Sequence, residues 1–135
     1  MNYLADTHIL IWAIKDDPKL SVKAREILLN RENSIYYSFA NIWEVAIKHA
    51  LHKQSMTFSA RYFEELCRLA GYLPMETDFK HAYMVETLNY ADNAPREHRD
   101  PFDRLLLAQA KAENMLFLTH DELIPYYSEP CIVSV

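Results

Sequence analysis

The stretch His98-Arg99-Asp100-Pro101-Phe102-Asp103-Arg104, running on into Leu105-Leu106-Leu107-Ala108-Gln109-Ala110, constrains the fold more than any other. It reads as the opening of a helix. Asp100 suits the N-cap, where its side chain can accept from the first orphan N–H groups. Pro101 falls at the first helical position, where its missing N–H costs nothing. Asp103 follows in the first turn, in the favourable field of the helix dipole. Leu105, Leu106, Leu107, Ala108, Ala110 and Ala112 then make the helix apolar on every side, as a buried helix requires. An acidic end is thereby fixed on a helix with little freedom to move.

Acids in a first turn are commonly capping groups and nothing more. Three further acids at the ends of apolar elements raise the interest of this pair. Asp6 follows residues 1–5, Glu44 interrupts an apolar helix pattern, and Asp121 follows residues 115–119.

At 135 residues the chain suits one domain, 1–135, with a core large enough to fold alone. Half of its residues are hydrophobic, which excludes a disordered chain. The net charge of −5 argues against a broad basic surface that grips nucleic acid by counterion release. It leaves open a nucleic-acid substrate held locally through metal ions. The one glycine, Gly71, excludes a P-loop and a dinucleotide-binding fingerprint, which need several. Cys67 and Cys131 stand far apart and read as buried free thiols of a reducing compartment. No apolar run reaches spanning length and the N-terminus lacks signal-peptide features, so the expected location is the cytoplasm, with no membrane contact.

Along the chain, β-type and helix-type patterns alternate. Residues 2–5 read as a strand ended by Asp6-Thr7-His8, with residues 9–14 helical. Ser21 caps a helix to about Asn30, with Val22, Ala24, Ile27 and Leu28 inward. Residues 34–38 read as a strand and 39–51 as a strong helix, with Ile42, Trp43, Ala46, Ile47 and Ala50 on its apolar positions. Residues 59–70 form a helix stopped by Gly71; 72–75 suit a short strand and 79–88 a further helix. After the polar loop 89–99 and the Asp100 helix, Asn114 gives a stop. Residues 115–119 are a strand of the buried type and 131–135 a last strand. This alternation predicts an α/β fold: an α/β/α sandwich around a central, mainly parallel sheet.

In such sheets sites form beyond the carboxyl ends of the strands, where strand order reverses. Asp6 and Asp121 sit at two such ends and lie side by side if their strands are neighbours. Asp103, at the head of the helix leading into the second of these strands, can join them, and Glu44 can reach in from the opposite side. Two like charges about 4 Å apart repel by about 4 kcal/mol at an effective dielectric of about 20, so such a cluster must hold protons or a cation. An all-oxygen set favours Mg²⁺ or Mn²⁺ over Zn²⁺. An ion of this kind supplies a water nucleophile for phosphoryl chemistry. Asp6, Glu44, Asp103 and Asp121 are therefore the candidate catalytic and metal-ligating residues. Glu44 can equally form a surface pair with Lys48 one turn on. Thr7 and Thr119 can orient a ligand or cap strand ends. Arg104 can neutralise a substrate phosphate or pair with Asp100. His8, His98 and His120 read as loop or surface residues rather than ligands.

Four segments together resemble the PIN-domain ribonucleases, in particular the toxins of bacterial VapBC-type toxin–antitoxin pairs. They are Tyr3-Leu4-Ala5-Asp6-Thr7-His8 with Leu10 and Trp12; Ile42-Trp43-Glu44-Val45-Ala46-Ile47-Lys48; His98 to Arg104; and Leu118-Thr119-His120-Asp121. The resemblance implies an Mg²⁺- or Mn²⁺-dependent endoribonuclease acting on RNA. It further implies a homodimer neutralised by a cognate antitoxin, through which alone it would meet DNA. It places the acidic site on Asp6, Glu44, Asp103 and Asp121, with Asp100 in support. Asn41 departs from the small hydroxyl residue common at its position. Two other readings stay open: a phosphatase using Asp6 as nucleophile, which the lack of an early second acid after Asp6 disfavours, and a non-catalytic binding module whose acids are only caps.

Overall fold

Alternation along three central strands divides the core in two. The computed structural model describes residues 1–135. Its five strands are β1 (Asn2–Ala5), β2 (Ser34–Ser38), β3 (Leu73–Met75), β4 (Leu116–Thr119) and β5 (Ile132–Ser134), paired in parallel in the order β3-β2-β1-β4-β5. Successive side chains of a strand face opposite ways. Tyr3, Ala5, Ile35, Tyr37 and Leu118 accordingly enter one core cluster, and Leu4 and Phe117 the other. Six helices cover the sheet: α1 (Thr7–Lys15), α2 (Val22–Leu29), α3 (Phe39–Leu51), α4 (Ala60–Leu69), α5 (Phe79–Val85) and α6 (Pro101–Ala112). Ile9 and Leu10 of α1, Val45 of α3 and Phe63 and Cys67 of α4 fill the first cluster. Leu106, Leu107 and Ala110 of α6 fill the second. The α/β/α sandwich is the one expected, and its sheet is parallel throughout.

Local chemistry sets the element ends. Ser21, Ser38, Ser59, Asp78 and Asp100 each accept a backbone N–H as N-caps of their helices. Gly71 (φ 87°) and Asn114 (φ 55°) take the left-handed conformation that stops α4 and α6. Gln109, fully buried, accepts from Ser38 Oγ at 2.6 Å and donates to Thr77 Oγ1 at 3.1 Å, which ties α6 to the junction of β2 and α3.

Some expectations fail for identifiable reasons. The helix after β1 begins at Thr7, not Ile9, so Asp6 itself occupies the cap position. Helix α5 stops at Val85, three residues early, and the Thr87 hydroxyl takes the Met84 carbonyl at 2.7 Å. Val22 is 72% exposed, because it is the first residue of α2 and lies outside the turn that Ala24 buries. Trp43 and Ala50 face outward on α3, while Asn41 and Glu44 face inward. The helix turns its polar residues towards the sheet because partners wait for them there.

Candidate active site

The sheet order reverses between β1 and β4, the place where an open α/β sheet offers a crevice. Asp6 follows β1 directly, and its N–H donates to the Leu118 carbonyl at 2.9 Å, so strand pairing carries on through it. The Thr119 hydroxyl donates to Asp6 Oδ2 at 2.8 Å and accepts the Asp121 N–H at 3.1 Å. Asp121 Oδ1 accepts the Leu123 N–H at 2.7 Å. One buried hydroxyl thus orients two acids from neighbouring strand ends.

Glu44 enters from α3. Its Oε1 accepts the Thr7 hydroxyl and its Oε2 the Lys48 ammonium, both at 2.6 Å. Asn41 supports this arrangement: its amide nitrogen donates to Thr7 Oγ1 at 2.9 Å and to the Ala5 carbonyl at 3.3 Å, and its oxygen accepts the Ser38 N–H at 2.6 Å. The Glu44–Lys48 pair is therefore no ordinary surface pair, since its carboxylate is only 3% exposed. Asn41 was legible only as a departure from a family pattern. Its role follows from bridging α3, β1 and α1, which no local spacing announces.

Helix α6 supplies the remaining acids. Asp100 Oδ1 accepts the N–H groups of Phe102 at 2.9 Å and Asp103 at 3.1 Å, and the cap holds Asp103 facing the cleft. Asp103 Oδ2 lies 3.2 Å from His98 Nε2, whose Nδ1 lies 2.7 Å from the Tyr127 hydroxyl. In the neutral ring Tyr127 donates to Nδ1, which turns the Nε2 proton towards Asp103. His98 stands in the loop before α6, as expected, but its ring is not on the surface. Its side chain is 4% exposed, packed by Tyr127 and Tyr90 at ring separations of 5.4 and 6.0 Å. Ligand atoms of His98, Asp103 and Asp121 lie within 4.8 Å of one another, close enough for one ion to bridge.

Asp6, Glu44, Asp100, Asp103 and Asp121 line one cleft of about 280 Å³ with Lys48, His8, Trp12 and His120. The four principal acids predicted for the site are thus brought together. The cluster's field acts on Asp6 and Asp103. Burial, then the charges of Asp103, Glu44 and Asp121, push Asp6 up to about 7 against the Thr119 hydrogen bond. Burial also raises Asp103; its His98 contact opposes this, while Asp100, Asp121 and Glu44 add to the rise. Lys48 is raised despite its partial burial, by Glu44 first and by Asp100 and Asp103 beyond it. His98 is raised by its hydrogen bond to Asp103, against the effect of burial. Two buried carboxyls shifted towards their protonated form, oxygen donors on several sides, and one matched lysine suit a hard divalent cation.

Of the supporting residues, Thr7 and Thr119 orient carboxylates and Asp100 caps. Arg104 does not pair with Asp100, whose oxygen is engaged in that cap; its Nε is buried with no hydrogen-bond partner, and it lies off the cleft lining.

No curated protein matches the chain. Among solved structures, the crystal structure of VapBC2 from Rickettsia felis bound to a DNA fragment from their promoter holds a chain with the same fold: TM-score 0.67, 17% identity, 100% of this chain and 98% of that chain covered. The PIN domain model matches residues 3–129. That span runs from the strand leading into Asp6 to well past Asp121, and the chain belongs to the PIN domain family.

Proposed function

We propose that the chain is a divalent-metal-dependent endoribonuclease that hydrolyses RNA phosphodiester bonds. One observation carries the reading: Asp6, Glu44, Asp103 and Asp121, from four separate segments, line a single cleft in which burial, and then the charges of its neighbours, raise Asp6 to about 7. Membership of a family of nucleases supports it. Asp6, Asp103 and Asp121 would hold Mg²⁺ or Mn²⁺ directly, with Glu44 closing the negative field from α3. A bound ion supplies Lewis-acid polarisation of the phosphate and a nucleophile at neutral pH.

The chain's own groups do the rest. Thr119 keeps one Asp6 oxygen engaged and so fixes the other towards the cleft. Glu44 holds the Lys48 ammonium at the cleft edge, where it can meet a phosphate oxygen. His98 orients Asp103. A phosphatase route through Asp6 fits less well, because Lys48, the one lysine of the cleft, is engaged by Glu44 rather than standing beside Asp6.

We further propose that the chain acts as the toxin of a toxin–antitoxin pair, forms a homodimer, and meets DNA only through its antitoxin. The likeness to a chain of VapBC2, whose structure includes promoter DNA, supports this. Incubation with total RNA in Mg²⁺, then with EDTA, tests the activity. Cleavage should need the ion and vanish in Asp6→Asn and Asp103→Asn; cleavage that survives EDTA and both substitutions overturns the reading.

A further inference from the structure

We propose that Trp12, braced between His8 and His120, is a stacking surface for an unpaired nucleobase beside the phosphodiester that the cleft acts on. This rests on the reading that a nucleic-acid phosphate enters the cleft. Trp12 and His8 belong to α1, which starts directly after Asp6, and His120 follows Thr119. All three line the cleft that holds the carboxylates. The rings form a continuous aromatic wall: His8 lies 5.8 Å from Trp12 at 48°, and His120 meets Trp12 edge-on at 5.2 Å and 75°. Trp12 is half-buried against the core, and His120 Nδ1 lies 2.6 Å from the Val135 carbonyl, so two of the three rings are held in place.

Charge argues for a neutral grip. The chain carries −5, and Lys48, the one lysine of the cleft, is already matched by Glu44. Beyond the one phosphate that Lys48 and a bound ion can meet, the nucleic-acid backbone finds no further lysine or arginine in the cleft lining, so additional affinity there must come from uncharged contacts. A nucleobase offers such a contact through its π face, and stacking is tolerant of sequence. In a duplex both faces are covered by neighbouring bases, so the occupant is unpaired. The other tryptophan, Trp43, lies outside the cleft lining and is engaged with Phe39 and Phe102.

The test is the affinity for a labelled oligo-dT strand in Mg²⁺, alone and annealed to oligo-dA; a ribonuclease leaves this probe intact. Loss of one stacked base corresponds to about five- to 150-fold weaker binding. Trp12→Leu should weaken single-strand binding within that range, Trp12→Phe should stay near the parent, and the annealed strand should bind more weakly. Trp43→Leu should bind as the parent does. Binding by Trp12→Leu within twofold of the parent, an equal loss in Trp43→Leu, equal binding of the annealed strand, or no binding by the parent overturns the inference. Because the chain has two tryptophans, Trp43→Phe leaves Trp12 as the only indole emitter. Its fluorescence should be quenched by oligo-dT, which decides the matter even if Trp12→Leu fails to fold. Trp12-dependent binding by a parent that cuts no RNA would keep this inference and sink the ribonuclease reading. RNA cleavage with Trp12-insensitive binding would do the reverse.

Discussion

Replacing Asp6 by Asn should make the ion-free protein more stable, and by an amount that grows with pH. Asp6 is 4% exposed and its carboxyl sits at about 7 rather than 3.8. A shift of about three units corresponds to about 4 kcal/mol, which is what ionising Asp6 costs the ion-free fold above neutrality. Because the folded value is raised, the group's stabilising contribution is complete below the unfolded value of 3.8. It is lost progressively as pH rises to about 7. About two of those units fall between pH 5 and pH 8, so the parent should lose about 3 kcal/mol over that interval through Asp6 alone. Asn keeps the shape and can still accept from Thr119, but it carries no charge. Urea unfolding of both proteins, free of divalent ions, should show the gap in favour of Asp6→Asn widening by about 3 kcal/mol from pH 5 to pH 8. A gap that stays constant would refute the claim that burial and the neighbouring acids raise Asp6.

Other outcomes follow from the same contacts. Asn41→Ala removes the partner of Ser38, Ala5 and Thr7 and should cost about 2–4 kcal/mol in urea unfolding, with RNA cleavage falling as Glu44 loses its alignment. Tyr127→Phe should cost only about 1 kcal/mol in stability, yet it should slow cleavage and shift its pH profile, because His98 loses the contact that fixes its tautomer. Phe63→Ala empties a fully buried site that is no part of the cleft lining; it should cost about 3–5 kcal/mol while leaving the rate per folded molecule unchanged.

Much of this molecule is written locally. The caps at Ser21 and Asp100, the stops at Gly71 and Asn114, and the strands before Asp6 and Asp121 follow from short-range chemistry. The convergence of Asp6 and Asp121 needed one further step, the reversal of strand order beside β1. What stayed hidden depends on partners remote in sequence. His98 is the loop residue its surroundings suggest, but only Tyr127, 29 positions on, closes over its ring and buries it. Trp43 reads as core on spacing alone, but Asn41 and Glu44 on the same helix have buried partners in α1 and β1, and meeting them turns Trp43 outward. Val22 fails because a periodic pattern does not record that the first residue of a helix can overhang the sheet.

The central claim is that buried acids from separate segments share one divalent ion. Calorimetric titration with Mn²⁺ at neutral pH, repeated in buffers of different ionisation enthalpy, counts the protons that binding expels. The account predicts saturable binding with release of a substantial fraction of a proton, as the ion displaces the proton that Asp6, raised to about 7, partly holds near neutrality, and loss of both affinity and release in Asp6→Asn. Binding that releases no proton and is indifferent to Asp6→Asn and Asp103→Asn, or no binding at all, would contradict it.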